Sequence, residues 1–191
     1  MKTKTKLRLI AGSFFVLTLL VGCKNEAKTN TSTATQPEQL SKESGQAFIE
    51  DDGSTPNVLQ IAIGSPDHTT LVAAVQAANL ENALVNAGPL MVFAPTNEAF
   101  AALPEGTVDN LLKPENKDAL ANILKYHVTP GNYSKDFLMK FKKLGQANDQ
   151  NVMIVVEGDD VYVGGAKIIG SVKAGNGIVH VVDKVMLPPE E

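Results

Sequence analysis

Three histidines, His68, His127 and His180, hold the side-chain chemistry that titrates near neutral pH in this 191-residue sequence. His180 stands in "NGIVHVVDKVMLP", residues 176–188, where an imidazole interrupts a run of valines. Such a ring can ligate a metal, act as a base, or bond inside a core. Strand alternation puts Ile178, His180 and Val182 on one face and Val179, Val181 and Asp183 on the other. A histidine on an apolar face reads as a neutral, hydrogen-bonded core group, because buried polar groups are nearly always paired. The metal reading lacks partners, since the three histidines show no H-E-x-x-H or other closely spaced ligand pattern. His127, after Tyr126, closes an apolar stripe and reads as packing.

Other reactive patterns are weaker still. There is no G-x-S-x-G elbow for a serine nucleophile. Ser134 lies near His127 in sequence but suits the cap of a helix in "KDFLMKF". The 21 acidic residues single out no carboxylate pair for glycoside hydrolysis. Glu157, Asp159 and Asp160 lack the spacing of a calcium loop and read as a solvated turn. "VGGAKIIG" lacks the G-K-[ST] ending of a phosphate loop. These residues imply no catalytic group, no metal and no cofactor.

The only cysteine is Cys23. Lys2, Lys4, Lys6 and Arg8 precede an apolar stretch from Leu9 to Val21, too short for the roughly 20 apolar residues of a comfortable span. "LLVGC", residues 19–23, then resembles the lipobox of bacterial lipoproteins. That resemblance implies a signal peptide over residues 1–22, cleavage before Cys23, and acylation of Cys23. Two or more acyl chains anchor a protein stably without spanning the bilayer. Lys24 stands where an inner-membrane retention signal would carry aspartate, which points to an outer membrane. Without residues 1–22, 13 lysines face 21 acids, and Arg8 is the only arginine. A chain at net −8 without arginine offers no basic face for nucleic acid.

Positioning elements follow. Residues 24–53 are polar and poor in large apolar side chains, so they read as a flexible tether with a reach of roughly 30 Å. The folded part is expected over 55–189, leaving 23–54 as acylated cysteine and tether. Asp67 or Thr69 is expected to cap a helix carrying Leu71, Val72 and Val75, and Leu80, Leu84 and Val85 mark a second. Leu90–Ala94 read as a buried strand that Pro95 ends, with Thr96 capping the next helix. Pro114 opens a helix with Ala119, Leu120, Ile123, Leu124 and His127 on one stripe. After Gly145 the period becomes two: a hairpin turns at 158–160, and two more strands break at 175–177. Helices first and antiparallel strands later read as an α+β fold.

Three ordered blocks then resemble the fasciclin-type (FAS1) domain: "TLVAAVQAANLENALVNAGPLMVFAPTNEAF", "ILKYHVTPG" at 123–131, and "NGIVHVVDKVMLPP" at 176–189. The matching motif positions, mainly structural, are Phe93, Ala94, Pro95, Thr96, Phe100, Tyr126, His127, Asn176, Gly177 and His180. Met91 departs from the family, where threonine is common. The resemblance implies one wedge of mostly antiparallel strands packed with helices. It also implies adhesion to cells, matrix proteins or polysaccharides, without shared enzymatic chemistry. In some animal relatives the Tyr126-His127 segment is implicated in integrin binding; here both residues suit a core. The expected protein is thus a non-enzymatic adhesion or interaction module on the envelope, held by lipid, with a protein or polysaccharide partner. A periplasmic polysaccharide- or small-ligand-binding lipoprotein, which needs an apolar pocket, is the alternative. An envelope hydrolase, which needs convergent polar groups in a cleft, is the third reading.

Overall fold

The computed structural model describes residues 55–189 apart from Ala87. The expected signal peptide, Cys23 and the expected tether lie outside the described residues. Short helices come first: α1 Val58–Ile63, α2 Thr69–Ala77 and α3 Glu81–Asn86. Strand β1 (Leu90–Pro95) follows, then α4 Asn97–Ala101, α5 Thr107–Leu111 and α6 Lys117–Tyr126. After β2 Val128–Pro130 and α7 Lys135–Leu138 come β3 Lys143–Gly145, β4 Asn151–Glu157, β5 Asp160–Val163, β6 Ala166–Ala174 and β7 Gly177–Val182. The fold is α+β with a mostly antiparallel sheet in the order β2-β1-β7-β6-β5-β4-β3.

The exception to antiparallel pairing lies one strand in from the β2 edge of the sheet. β1 and β7 run parallel over six residue pairs, from Leu90↔Gly177 to Pro95↔Val182. Every residue of β1 is buried. An apolar run without alternation is what a strand covered on both faces requires. Met91 and Phe93 with Ile178 and Val182 enter one core, shared with β3–β6 and Leu138. Leu90, Val92, Ala94 and Val179 enter the other, under α1, α2 and α6. β1 and β7 therefore divide two cores, and the expected faces of β7 hold.

Turn chemistry explains the hairpins. Gly158 has φ 61°, and Gly164 and Gly165 have φ 58° and 80°, so the glycine pair of "VGGAKIIG" is the tight link between β5 and β6 and the rest of that stretch belongs to the strands. Four local expectations need correction. Pro95 does not end pairing but occupies the last position of β1 opposite Val182. The Phe93 amide bonds the His127 carbonyl on the β2 side, while the Thr96 amide bonds the Val182 carbonyl. By alternation the Pro95 nitrogen faces the β2 side, where the ladder has stopped, so its missing N–H costs no bond. Neither Asp67 nor Thr69 caps α2 through its side chain. Ala119 is exposed, because the stripe turned inward is centred on Leu120, Leu124 and His127. The helix foreseen in "KDFLMKF" stops at Leu138, with Ser134 Oγ accepting from the Phe137 amide.

Candidate functional site

The "FAPTNEAF" stretch links β1 to α4. Phe93 and Ala94 are buried on opposite faces, Pro95 is fully buried, and Phe100 is half-buried beside the helix-side core. Thr96 Oγ1 accepts from the Ala99 amide at 3.3 Å and caps α4. Asn97 reaches further. Its Oδ1 accepts from the Thr70 amide at 3.0 Å and the Thr69 hydroxyl at 3.2 Å, and its Nδ2 donates to the Pro66 carbonyl at 2.9 Å. The cap of α2 therefore comes from 27 residues downstream. Local sequence rules search only the residues next to a helix start, so they pass over Asn97.

His180 is wholly inaccessible and lies 5.8 Å, centroid to centroid, from its register partner Phe93 in a stacked arrangement. Nε2–H donates to the Tyr133 carbonyl at 2.9 Å, so Nδ1 accepts from the Ser171 hydroxyl at 2.7 Å. Burial pushes its pKa down, and the Tyr133 carbonyl opposes this in part. His127 is as deeply set. Nδ1–H donates to the Ile123 carbonyl at 2.8 Å, and Nε2 accepts from the Met186 amide at 2.9 Å. Burial lowers its pKa to about 4 against the opposing Ile123 carbonyl. Tyr126 is buried on the sheet side and donates its hydroxyl to the Asn151 carbonyl at 3.3 Å; burial raises its pKa. The Tyr126-His127 pair thus faces inward at both side chains.

Asn176 ties together three elements distant in sequence. Its Oδ1 accepts from the Val58 amide at 2.9 Å, and its Nδ2 donates to the Leu84 carbonyl at 2.7 Å. Gly177 lets β7 lie against β1, since a Cβ there would sit 1.8 Å from the Leu90 carbonyl oxygen. His68 is buried, and its Nδ1 is 2.8 Å from Ser65 Oγ. Its Nε2 has no hydrogen-bond partner among the described residues. Burial lowers its pKa, with the Asp67 carboxylate as the largest opposing influence.

The acidic turn is built from solvated groups. Asp160 pairs with Lys167 at 2.6 Å, both partly exposed, and such a surface pair adds at most about 1 kcal/mol. Among the described residues no group of three His, Cys, Asp or Glu is placed to hold a metal. None of their helices is long and apolar enough to cross a membrane.

Two surface features complete the inventory, and of the first only Phe137 is exposed, Tyr133 and Phe141 packing half-buried against the core. Tyr133, Phe137 and Phe141 stack or tilt against one another at 5.4–5.5 Å, with Lys140 Nζ 5.1 Å from the Phe137 ring centre. Met153 and Val155 of β4 and Ile169 of β6 stand in solvent, each half exposed or more. Between α1, α2, α3, α6 and the helix-side face of the sheet lies an apolar cavity of about 210 Å³.

The fasciclin domain model matches residues 66–188, and the chain belongs to the fasciclin family. Protein sll1483 of Synechocystis sp. is 47% identical over 137 residues, covering 71% of this chain and 76% of that protein. Immunogenic protein MPB70 of Mycobacterium bovis is 34% identical over 151 residues, 76% of this chain and 75% of its own. Transforming growth factor-beta-induced protein ig-h3 of Sus scrofa is 36% identical over 157 residues, but this chain spans only 22% of it. The FAS1 domain pair of the insect cell adhesion molecule Fasciclin I shares the fold, with TM-score 0.62 and 17% identity. That match covers 70% of this chain and about half, 51%, of the domain pair.

Proposed function

We propose that this protein is a lipid-anchored adhesion or interaction module of the cell envelope, acting by binding rather than by catalysis. Cys23 is its acylation site, residues 24–54 are its tether, and residues 55–189 are the domain presented to a protein or polysaccharide partner. The observation that carries the reading is the inward commitment of the family motif. His127 and His180 have both ring nitrogens bonded inside the fold, and Asn176 bonds two other elements. The motif therefore builds a scaffold, and recognition falls to the outer surface. Exposed Phe137, stacked on half-buried Tyr133, and the half-exposed apolar residues of β4 and β6 are the parts of that surface suited to a partner. The adhesive role of the insect protein with this fold supports the same direction.

Protease shaving of intact cells tests the reading, with immunoblotting of the domain and Cys23→Ala as the anchoring control. Loss of the wild-type signal from unbroken cells, together with release of the Cys23→Ala protein from the envelope, is the expected result. Protection until the envelope is opened would end the case for adhesion to other cells or matrices.

A further inference from the structure

Well-packed interiors hold few voids larger than a water molecule. The apolar cavity of about 210 Å³ between the helices and the sheet is partly open to solvent, so it is a pocket and not a sealed void. It exceeds the roughly 150 Å³ of an engineered apolar cavity that takes up benzene. Its floor is Val92 of β1 and Val179 of β7; its walls are Leu59, Val75 and Leu124; Leu84 of α3 closes one side. The floor and wall side chains are buried, whereas Leu84 is half-buried. The six-residue α3 is thus the thin side of the enclosure.

The chemistry of the lining restricts what can enter. Only two of the lining residues, Lys125 and His127, have polar side chains. Both nitrogens of His127 are already bonded, to the Ile123 carbonyl and the Met186 amide. A polar group placed deep in the cavity would meet no free partner there and would forfeit its hydration. Lys125 differs, because it is exposed while still contributing to the lining. Lys125 is therefore the one lining residue that is both charged and exposed.

We propose that this cavity binds a small amphiphile with an aliphatic tail and a terminal carboxylate, the tail among Leu59, Val75, Val92 and Val179 and the carboxylate at Lys125. A fatty acid of medium chain length has this chemistry. The site lies apart from the exposed surfaces assigned to adhesion, so its failure would leave that assignment standing.

Decanoate and 1-decanol, titrated separately into the full chain and followed through Leu and Val methyl NMR signals, test the proposal. Decanoate is expected to shift the Val75, Val92 and Val179 methyls saturably. Leu84→Trp, which fills the cavity from its thin side, is expected to weaken decanoate binding about tenfold or more, a change of roughly 1.4 kcal/mol or above. Ala83→Phe repeats that test from a neighbouring lining position should the Trp variant fold poorly. Lys125→Ala is expected to weaken decanoate several-fold while leaving decanol unchanged. Absence of methyl shifts with either probe would show that the pocket takes up neither and overturn the proposal. Shifts that persist through both cavity-filling variants would do the same, and equal decanoate and decanol affinities insensitive to Lys125→Ala would remove the carboxylate from it.

Discussion

At the scale of single residues, His127 and His180 are both buried rings with depressed pKa values, yet they tolerate a proton differently. Ser171 can rotate its hydroxyl and accept from a protonated Nδ1, so His180 need not lose that bond. His127 Nε2 accepts from the Met186 amide, and a proton there would set N–H against N–H. The folded pKa of His127, about 4, lies below the ordinary value of 6.5. Its stabilisation is therefore fully present above pH 6.5 and lost as pH falls from 6.5 towards 4, because the unfolded chain binds the proton first. The slope approaches 1.4 kcal/mol per pH unit, and the loss across the window is about 3 kcal/mol. His180 and His68 shift in the same direction. Urea unfolding from pH 7.5 to 4.5 should show stability falling below pH 6.5, with a shallower fall for His127→Gln. Equal slopes for the two proteins would refute this account of His127.

At the scale of elements, the helices are short, from 4 to 10 residues. Isolated helices of that length do not hold in water, so tertiary packing and capping must supply their stability. Thr96 caps α4 from the adjacent position, a pattern that sequence spacing shows directly. Asn97 caps α2 across the fold, and its amide also holds the Pro66 carbonyl at the turn before that helix. Asn97→Ala should cost about 1–2 kcal/mol in urea denaturation, at the upper end of cap removals, because one change leaves α2 uncapped and a turn carbonyl without its donor. A loss below that of Thr96→Ala would mean that water replaces these bonds without penalty.

At the scale of the whole domain, the first and last strands pair side by side, one strand in from the β2 edge of the sheet. β1 and β7 lie more than 80 residues apart in sequence and pair in parallel, and Asn176 fastens α1 and α3 beside them. Closure of the domain thus depends on the close approach at Gly177. Gly177→Ala should cost about 3 kcal/mol or more, since a backbone carbonyl rather than a flexible side chain blocks the added methyl. Gly170→Ala, whose Cβ would rest 3.6 Å from Val181, should be mild by comparison. Thermal unfolding of the two variants side by side checks this, and similar melting temperatures would contradict a seam held by Gly177.

Much of this was legible in the chain because it is local. Strand alternation around His180, the continuous apolar run of β1, the turn glycines and the Thr96 and Ser134 caps each depend on neighbours within a few residues. The motif blocks were legible for the same reason, being contiguous stretches whose order alone marks a fasciclin domain. What escaped is what distance in sequence conceals: the parallel β1–β7 pairing, the short strands β2 and β3, and the downstream cap at Asn97. The carbonyl and amide partners that settle the histidine tautomers escaped for the same reason. The cavity belongs with them, since Leu59, Val92, Leu124 and Val179 read singly as ordinary core residues. Residue type determines that a side chain leaves water; only the packing of several elements, distant in sequence, around it decides whether the space it enters is filled.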